Sequence, residues 1–339
     1  MLFELPAFEH VDAKSIEEAL GFLESREGAN IIAGGTDLLG LMKDRITGPE
    51  LSLPSQLVNI KGIAEMNRVF EDEEGTLHIG GAVTLRQLEQ SPLLKPELGA
   101  LRSALGHIGS RQIRALGTVA GNICQRLRCI YFRHPDFICF KKGGKRCYAP
   151  GGEHRYYHAI MHYGKCVAAH PSDLAPVLMA YDARAAVEGP KGKRAVRLQE
   201  LFSGAKDTGQ TILEPHELLT EIQVPRPGET TVHSFMKSRL RRSFDFALSS
   251  VAAVGRVSRG VVEDIRIVLG GIAPLPVQAA KSEEILCGNY LNDDIISEAA
   301  EAALKGARPL PKNRYKVDLT KTLVKRALEE IREKQLNVL

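Results

Sequence analysis

The sequence predicts an α+β protein built in two parts. Three observations carry this. The first sixty residues alternate helical and strand-like patterns. The last third holds three strand-like runs and then three helical patterns. Between them lies a long segment of weak periodicity that contains five of the six cysteines. Strands followed by helices, rather than alternating with them, mark an α+β domain. A chain of 339 residues is long for one domain, and "RPGE" (226–229) offers a boundary. The expected organisation is a first domain over 1–225, with a small α/β part (1–60) and a larger part (61–225) interrupted by a cysteine-rich insertion (124–166). A second domain (226–339) follows, a three-stranded sheet plus helices.

Each element has a local reason. "SIEEALGFLES" (15–25) spaces its apolar residues as a helix does. "ANIIAGGTDLLGLMKD" (29–44) reads as a short buried strand, a glycine turn and a helix start, and "QLVNI" (56–60) as a second strand. "GTLHIGGAVT" (75–84) is strand material, "TLRQLEQS" (84–91) a short helix and "LLKPELGALRSALGHIG" (93–109) a longer one. "IRALGTVAGNI" (113–123) is so rich in small residues that propensity alone cannot make it a stable helix. After the cysteine segment, "DLAPVLMAYDARAAVEG" (173–189) reads as a helix leading into a strand. "TVHSFMKSRLR", "ALSSVAAVGRV" and "VVEDIRIVLGGIA" are three successive strands. Helical patterns near 277–287, 292–306 and 317–335 close the chain.

Composition excludes more than it identifies. Apolar residues make up 44% and charged residues 25%, close to the globular average. A net charge of +4 does not call for nucleic acid or a membrane surface. Apolar runs such as "SSVAAVG" fall far short of a membrane span. The N-terminal stretch lacks a basic region followed by an apolar one, so no signal peptide is read and a cytoplasmic setting is expected. A periplasmic setting would need export of the folded chain by a signal-bearing partner. In the cytoplasm thiols stay reduced.

Two glycine loops and the cysteine segment are the candidate sites. In "AGGTDLL", adjacent glycines let the backbone turn sharply and approach a ligand, and successive N–H groups can form an anion nest. This is not the G-x-G-x-x-G dinucleotide fingerprint, and a plain turn capped by Thr or Asp competes with the phosphate reading. "LGTVAGN" is a second small-residue loop eighty residues on, and a tight packing turn competes there too. Two such loops together favour an extended pyrophosphate ligand. The cysteines run C-x4-C-x9-C-x7-C-x18-C from Cys124 to Cys166. That spacing matches neither the short pairs of zinc sites nor ferredoxin runs. On the residues alone the thiols fit a tetrahedral zinc, a [4Fe–4S] cube or a basic solvated loop that ligates nothing; disulfides fit the compartment least. The surrounding Arg126, Arg128, Arg133, Lys141, Lys142, Lys145, Arg146 and Lys165 would suit an anionic cluster. His134, His154, His158 and His162 are further candidate ligands. No acid–base or nucleophile constellation stands out, so no catalytic residue is assigned.

"IIAGGTDLL", "LGTVAGNI" and "HPSDLAP", in that order, resemble the FAD-binding subunit or domain of the xanthine dehydrogenase/aldehyde oxidase family of molybdenum hydroxylases. The resemblance covers nearly the whole chain and includes a C-terminal domain of the carbon monoxide dehydrogenase flavoprotein type. It implies that Ala33, Gly34, Gly35, Thr36, Asp37 and Leu38 cradle the FAD pyrophosphate. It implies further FAD contacts at Gly117, Thr118, Gly121 and Asn122, at Ser172 and Asp173, and at Lys237. Two branches of the family carry a cysteine insertion that binds a [4Fe–4S] cluster, the aldehyde oxidoreductases and the β subunit of 4-hydroxybenzoyl-CoA reductase. "QRLRCIYFRHPDF", "GGEHRYYHAI" and "CVAAHPSDLAP" look closer to the first, and the ligands implied are Cys129, Cys139, Cys147 and Cys166, with Cys124 spare. The implied function is electron transfer in aldehyde oxidation. The implied partners are a large molybdopterin-binding subunit, a small [2Fe–2S] subunit and an external electron acceptor. A reading from another class is a zinc-stabilised binding module whose basic loop contacts nucleic acid or protein.

Overall fold

The computed structural model describes residues 4–205, 207–241 and 243–336. The chain forms two compact units, and neither is one continuous stretch. The first comprises Met1–Leu93, Ser110–Tyr148 and Ala183–Pro225; the second comprises Leu94–Gly109, Ala149–Asp182 and Arg226–Leu339. Elements are numbered in chain order.

The first unit opens with a parallel sheet. Strands β1 (Glu9–Asp12), β2 (Ala29–Ile32) and β3 (Gln56–Asn59) lie in the order β1-β3-β2, with Val58 opposite both Val11 and Ile31. Parallel strands need a crossover: helix α1 (Ile16–Ser25) carries the chain from β1 to β2, and residues 33–55 return it to the central β3. Ser15 caps α1 by accepting the Glu18 N–H. Its buried Ile16, Ala19 and Leu23 pack on Val58, Ile60 and Ile63. A short helix, α2 (Leu38–Lys43), follows β2.

The second sheet of this unit is antiparallel. It contains β4 (Val69–Glu71), β5 (Leu77–Gly80), β6 (Arg184–Gly189), β7 (Gly192–Arg197) and β8 (Leu218–Val224), ordered β4-β5-β8-β6-β7. Helices α3 (Leu85–Glu89), α5 (Arg111–Leu116) and α6 (Val119–Ile123) belong to the same unit. The small-residue run 113–123, expected not to hold a helix by propensity, forms the end of α5 and the whole of α6. Side-chain caps at Ser110 and Thr118 and the burial of Val119, Ala120 and Ile123 supply what propensity lacks.

In the second unit β9 (Thr231–Ser238), β10 (Ser249–Ser258), β11 (Val261–Gly270) and β12 (Val277–Gln278) form an antiparallel sheet ordered β12-β11-β10-β9. The expected three-stranded sheet therefore has a fourth strand, where a helix was expected to begin. Pro274 and Pro276 hold the chain extended until Ala280. Helices α8 (Ala280–Leu286), α9 (Asp293–Ala303) and α10 (Tyr315–Leu336) cover one face. Val251, Ala253, Ile267 and Leu269 meet Ile296 and Ala300 of α9 and Val324, Ala327, Leu328 and Ile331 of α10 there. The other face carries α4 (Gly99–His107) and α7 (Leu174–Ala180). Ala252 and Val268 point that way and are fully buried. Gly270 permits the approach of α7, because a Cβ there would sit 2.7 Å from Pro176 Cγ. This packing is why 94–109 and 149–182 belong with the C-terminal sheet. No helix among the described residues is long and apolar enough to cross a membrane.

Candidate functional site

The two glycine loops come together in the first unit. Ala33–Asp37 leaves the end of β2 and enters α2, with the Gly35 carbonyl accepting the Leu39 N–H at 3.1 Å. The second loop joins α5 to α6, and the Gly117 carbonyl accepts the Leu85 N–H at 2.9 Å. The loops touch backbone to backbone. A Cβ on Gly34 would fall 2.8 Å from Gly117 Cα and would strike the Leu116 carbonyl oxygen. Gly35 has φ +66, a left-handed conformation that suits glycine. Gly117 is buried, whereas Gly121 and Thr36 are exposed. The result is an approach lined by bare backbone, the surface that a pyrophosphate needs. Thr118 is nearly fully buried and caps α6 by accepting the Gly121 N–H at 3.2 Å.

Asp37 looks away from an open loop. One carboxylate oxygen meets Arg128 Nη2 at 2.8 Å and Arg133 Nη2 at 2.5 Å; the other accepts the Arg126 N–H at 2.7 Å. Burial alone would raise its pKa, but the two guanidiniums outweigh burial and hold the carboxyl below its usual range. Arg128 also donates to Gln125 Oε1 at 2.9 Å, and Gln125 donates to the Asn122 carbonyl at 2.9 Å. Arg133 Nε donates to the Leu127 carbonyl at 2.8 Å. Asp37 thus joins the first glycine loop, the second and the start of the cysteine segment. Sequence reasoning missed Gln125, Arg128 and Arg133 in this role, since nothing local marks a partner some ninety residues away.

The cysteine segment divides between the units. Cys124, Cys129, Cys139 and Cys147 belong to the first, Cys166 to the second. In the first unit, the backbone amides of Tyr131 and Phe132 favour the Cys129 thiolate, and those of Lys141 and Lys142 favour that of Cys139. Cys129, Cys139 and Cys147 lie within one another's electrostatic reach. In the second unit, Cys166 Sγ accepts the Ala168 N–H at 3.4 Å. Amide donors converging on sulfur suit a thiolate that ligates metal. Burial pushes the Cys129 thiol up to about 12 and raises that of Cys139, so a thiolate here needs a cation to hold it. In donor chemistry these cysteines fit an iron–sulfur cluster. No group of three or more His, Cys, Asp or Glu side chains among the described residues is assembled as a metal site. Cys124 differs: it follows α6, burial pushes its thiol to about 12, and its electrostatic neighbour is Arg126.

Two basic residues of this segment are not surface charge. Lys141 is buried and its Nζ donates to the Gly204 carbonyl at 2.7 Å and to the Gly209 carbonyl. Lys142 is fully buried and donates to the His134 carbonyl at 2.8 Å. Both staple the segment to backbone carbonyls.

In the second unit Ser172 and Asp173 precede α7. Ser172 Oγ accepts the Ala175 N–H at 3.1 Å. Asp173 and Lys237 form a buried ion pair at 2.6 Å, with side chains 6% and 1% exposed. Lys237 also donates to the carbonyls of His107 at 3.0 Å and Asp245 at 2.8 Å. Burial raises the Asp173 pKa, and Lys237 works against it. The structure therefore brings together the sequence-predicted Ser172–Asp173 pair and Lys237. Lys316, missed from sequence, is fully buried and donates to the carbonyls of Tyr156 (3.1 Å), His158 (2.9 Å) and Gly271 (2.6 Å). Burial pushes its pKa down to about 7.

Comparison with known proteins shows the family. A family described as the FAD binding domain in molybdopterin dehydrogenase matches residues 6–227, and the CO dehydrogenase flavoprotein C-terminal domain matches residues 233–331. The aldehyde oxidoreductase FAD-binding subunit PaoB of Escherichia coli (strain K12) is 31% identical, over 97% of this chain and 99% of its own length. The glyceraldehyde dehydrogenase medium chain of Sulfolobus acidocaldarius is 26% identical, over 96% and 99% respectively. Among solved structures, carbon monoxide dehydrogenase from Hydrogenophaga pseudoflava matches with a TM-score of 0.75 and 28% identity, covering 97% of this chain and 98% of that one. The reading as a zinc-stabilised binding module gives way to these matches. The chain belongs to the FAD-binding medium subunits of the molybdenum hydroxylases, the flavoprotein components of oxidoreductase complexes.

Proposed function

We propose that this chain is the electron-transfer subunit of a heterotrimeric molybdenum hydroxylase acting on an aldehyde. Its partners would be a large molybdopterin-binding subunit and a small [2Fe–2S] subunit, and electrons would leave through it to an external acceptor. The observation that carries the reading is the contact between the two bare-backbone loops at Gly34 and Gly117. The likeness to the Escherichia coli aldehyde oxidoreductase subunit supports the substrate class. Bound FAD supplies one- and two-electron redox chemistry. The residues proposed to hold and orient it are Ala33 to Leu38, Gly117, Thr118, Gly121 and Asn122, with Ser172, Asp173 and Lys237. Residues 1–225 would constitute the FAD-binding domain in sequence terms, and 226–339 the C-terminal domain. The isolated chain should oxidise no aldehyde, and robust turnover without a molybdopterin partner would remove the relay reading.

Within the same proposal, Cys129, Cys139, Cys147 and Cys166 ligate one [4Fe–4S] cluster, and Cys124 and Cys287 do not. Support comes from the amides that favour a thiolate at Cys129 and Cys139 and from the Ala168 N–H bond to Cys166. The test is iron and acid-labile sulfide per chain, with low-temperature EPR of the reduced protein. Alanine at any of the four should lower cluster iron, whereas Cys124→Ala and Cys287→Ala should leave it near four per chain. Zinc without sulfide in the wild type would sink the iron–sulfur assignment and leave the flavin assignment intact.

A further inference from the structure

We infer that Asp37 and the arginines around it form a latch that makes FAD binding and the order of the cysteine segment depend on each other. The inference rests on the reading of 33–38 as the FAD pyrophosphate loop. It needs no metal in the cysteine segment.

The geometry is a chain of polar contacts in the first unit, closed by one backbone-to-backbone approach. From the first glycine loop, Asp37 holds Arg128, Arg133 and the Arg126 amide. Arg128 passes to Gln125, and Gln125 to the carbonyl of Asn122 in the second glycine loop. The second loop returns to the first through the Gly34–Gly117 backbone contact. Arg133 reaches back to the carbonyls of Leu127 at 2.8 Å and Arg126 at 3.2 Å, so residues 126–133 are wound around one carboxylate. Cys129 lies within this short arc and Cys124 just before it.

Charge gives the coupling its sign. Three arginines face one aspartate, which leaves two positive charges in a poorly solvated place. Arg133 repels both Arg126 and Arg128, but Asp37 attracts each more strongly than Arg133 repels it, and burial is what weighs most against their charge. A doubly charged pyrophosphate arriving at the neighbouring loop supplies the missing negative charge. It therefore offsets the cost of burying these charges, which works against an ordered 126–133. By linkage, an ordered segment must favour FAD by the same factor. Asp37 acts as a positioning residue and its carboxylate need not touch the flavin.

The experiment uses the full-length chain, purified with FAD and also stripped of it. Hydrogen–deuterium exchange is read on peptides spanning 124–133. In the wild type, removing FAD should speed exchange there about tenfold, the Arg126 amide included. In Asp37→Asn the segment should exchange fast with or without FAD, and FAD affinity should fall about tenfold. Asp37→Glu should recover part of both effects. Arg133→Met lies outside both glycine loops, yet should weaken FAD to a similar degree. Exchange that ignores flavin removal overturns the latch, as does wild-type FAD affinity in Arg133→Met. If Asp37→Asn does not fold, Arg133→Met and the wild-type exchange comparison decide alone. Full flavin retention by Gly34→Ala and Gly35→Val is a separate outcome, because it removes the loop assignment itself.

Discussion

Replacing Gly34 by alanine tests the heart of the flavin site with a single methyl group. The new Cβ would stand 2.8 Å from Gly117 Cα and 2.8 Å from the Leu116 carbonyl carbon. Carbon atoms settle about 3.5–4.0 Å apart, so one backbone must retreat by roughly 1 Å. Neither neighbour is a side chain that can rotate away. Forcing an extra methyl into a packed site costs about 1–3 kcal/mol, and a central value of about 2 kcal/mol corresponds to roughly thirtyfold in an equilibrium constant. The flavin-free chain escapes the strain by letting the loops part, so the cost falls on FAD binding, which needs them together. Gly35 offers a comparison within the same loop. Its φ of +66 penalises any side chain by about 1–2 kcal/mol. Its added Cβ, however, meets the flexible Leu39 side chain at 3.0 Å. Gly34→Ala should therefore weaken FAD more than Gly35→Ala does, and Gly35→Val should bind less than Gly35→Ala. The assay is titration of flavin-free chain with FAD, followed by quenching of flavin fluorescence, with circular dichroism to show that the fold survives. Wild-type affinity in Gly34→Ala, or a larger loss at Gly35→Ala, would refute the reasoning.

Other expectations are as direct. Lys237→Met strands Asp173 without its counterion and should destabilise the chain by about 3–5 kcal/mol, read as a lower denaturant midpoint. Asp173→Asn combined with Lys237→Met should cost less than the sum of the two, because the pair is removed together. Lys316 has a folded pKa pushed from 10.5 down to about 7 by burial. Below pH 7 both states carry its proton and the penalty for burying the charge is complete. As pH rises from 7 towards 10.5, only the unfolded chain holds the proton, so wild-type stability should climb relative to Lys316→Met. A stability difference that stays flat from pH 7 to 10 would show that the three carbonyls keep the ammonium charged.

Local pattern was enough for much of this fold and weak for the rest. The periodicity of 15–25, the "ANIIAGGT" turn and the apolar strand-like runs of 231–270 all have local causes. They therefore read correctly from sequence alone. β1 is four residues long and mostly exposed, and it exists because β3, 47 residues later in register, pairs with it. β7, "GKRAVR", looks like loop because its partner β6 supplies the order. The glycine loops were legible because steric need writes glycine into the sequence. The role of Asp37 was not, since an aspartate after a glycine turn fits a cap, a ligand or an anchor equally well. Lys141 and Lys142 read as part of a basic surround for an anionic cluster, and only their carbonyl partners reveal two buried ammonium groups.

The interleaving of the two units has a consequence for how such a chain is made and recombined. Six segments alternate between two bodies, so the backbone passes from one to the other five times. During synthesis, α4 and α7 leave the ribosome long before the sheet that covers them has been translated. Their apolar faces, including the fully buried Leu101, Leu105, Val177 and Leu178, must wait for β10 and β11. A truncation at residue 225 would keep those faces and discard their cover, and the fragment should aggregate. Gene fusions and exchanges between relatives would likewise have to move the chain whole, since no single crossover point separates one body from the other.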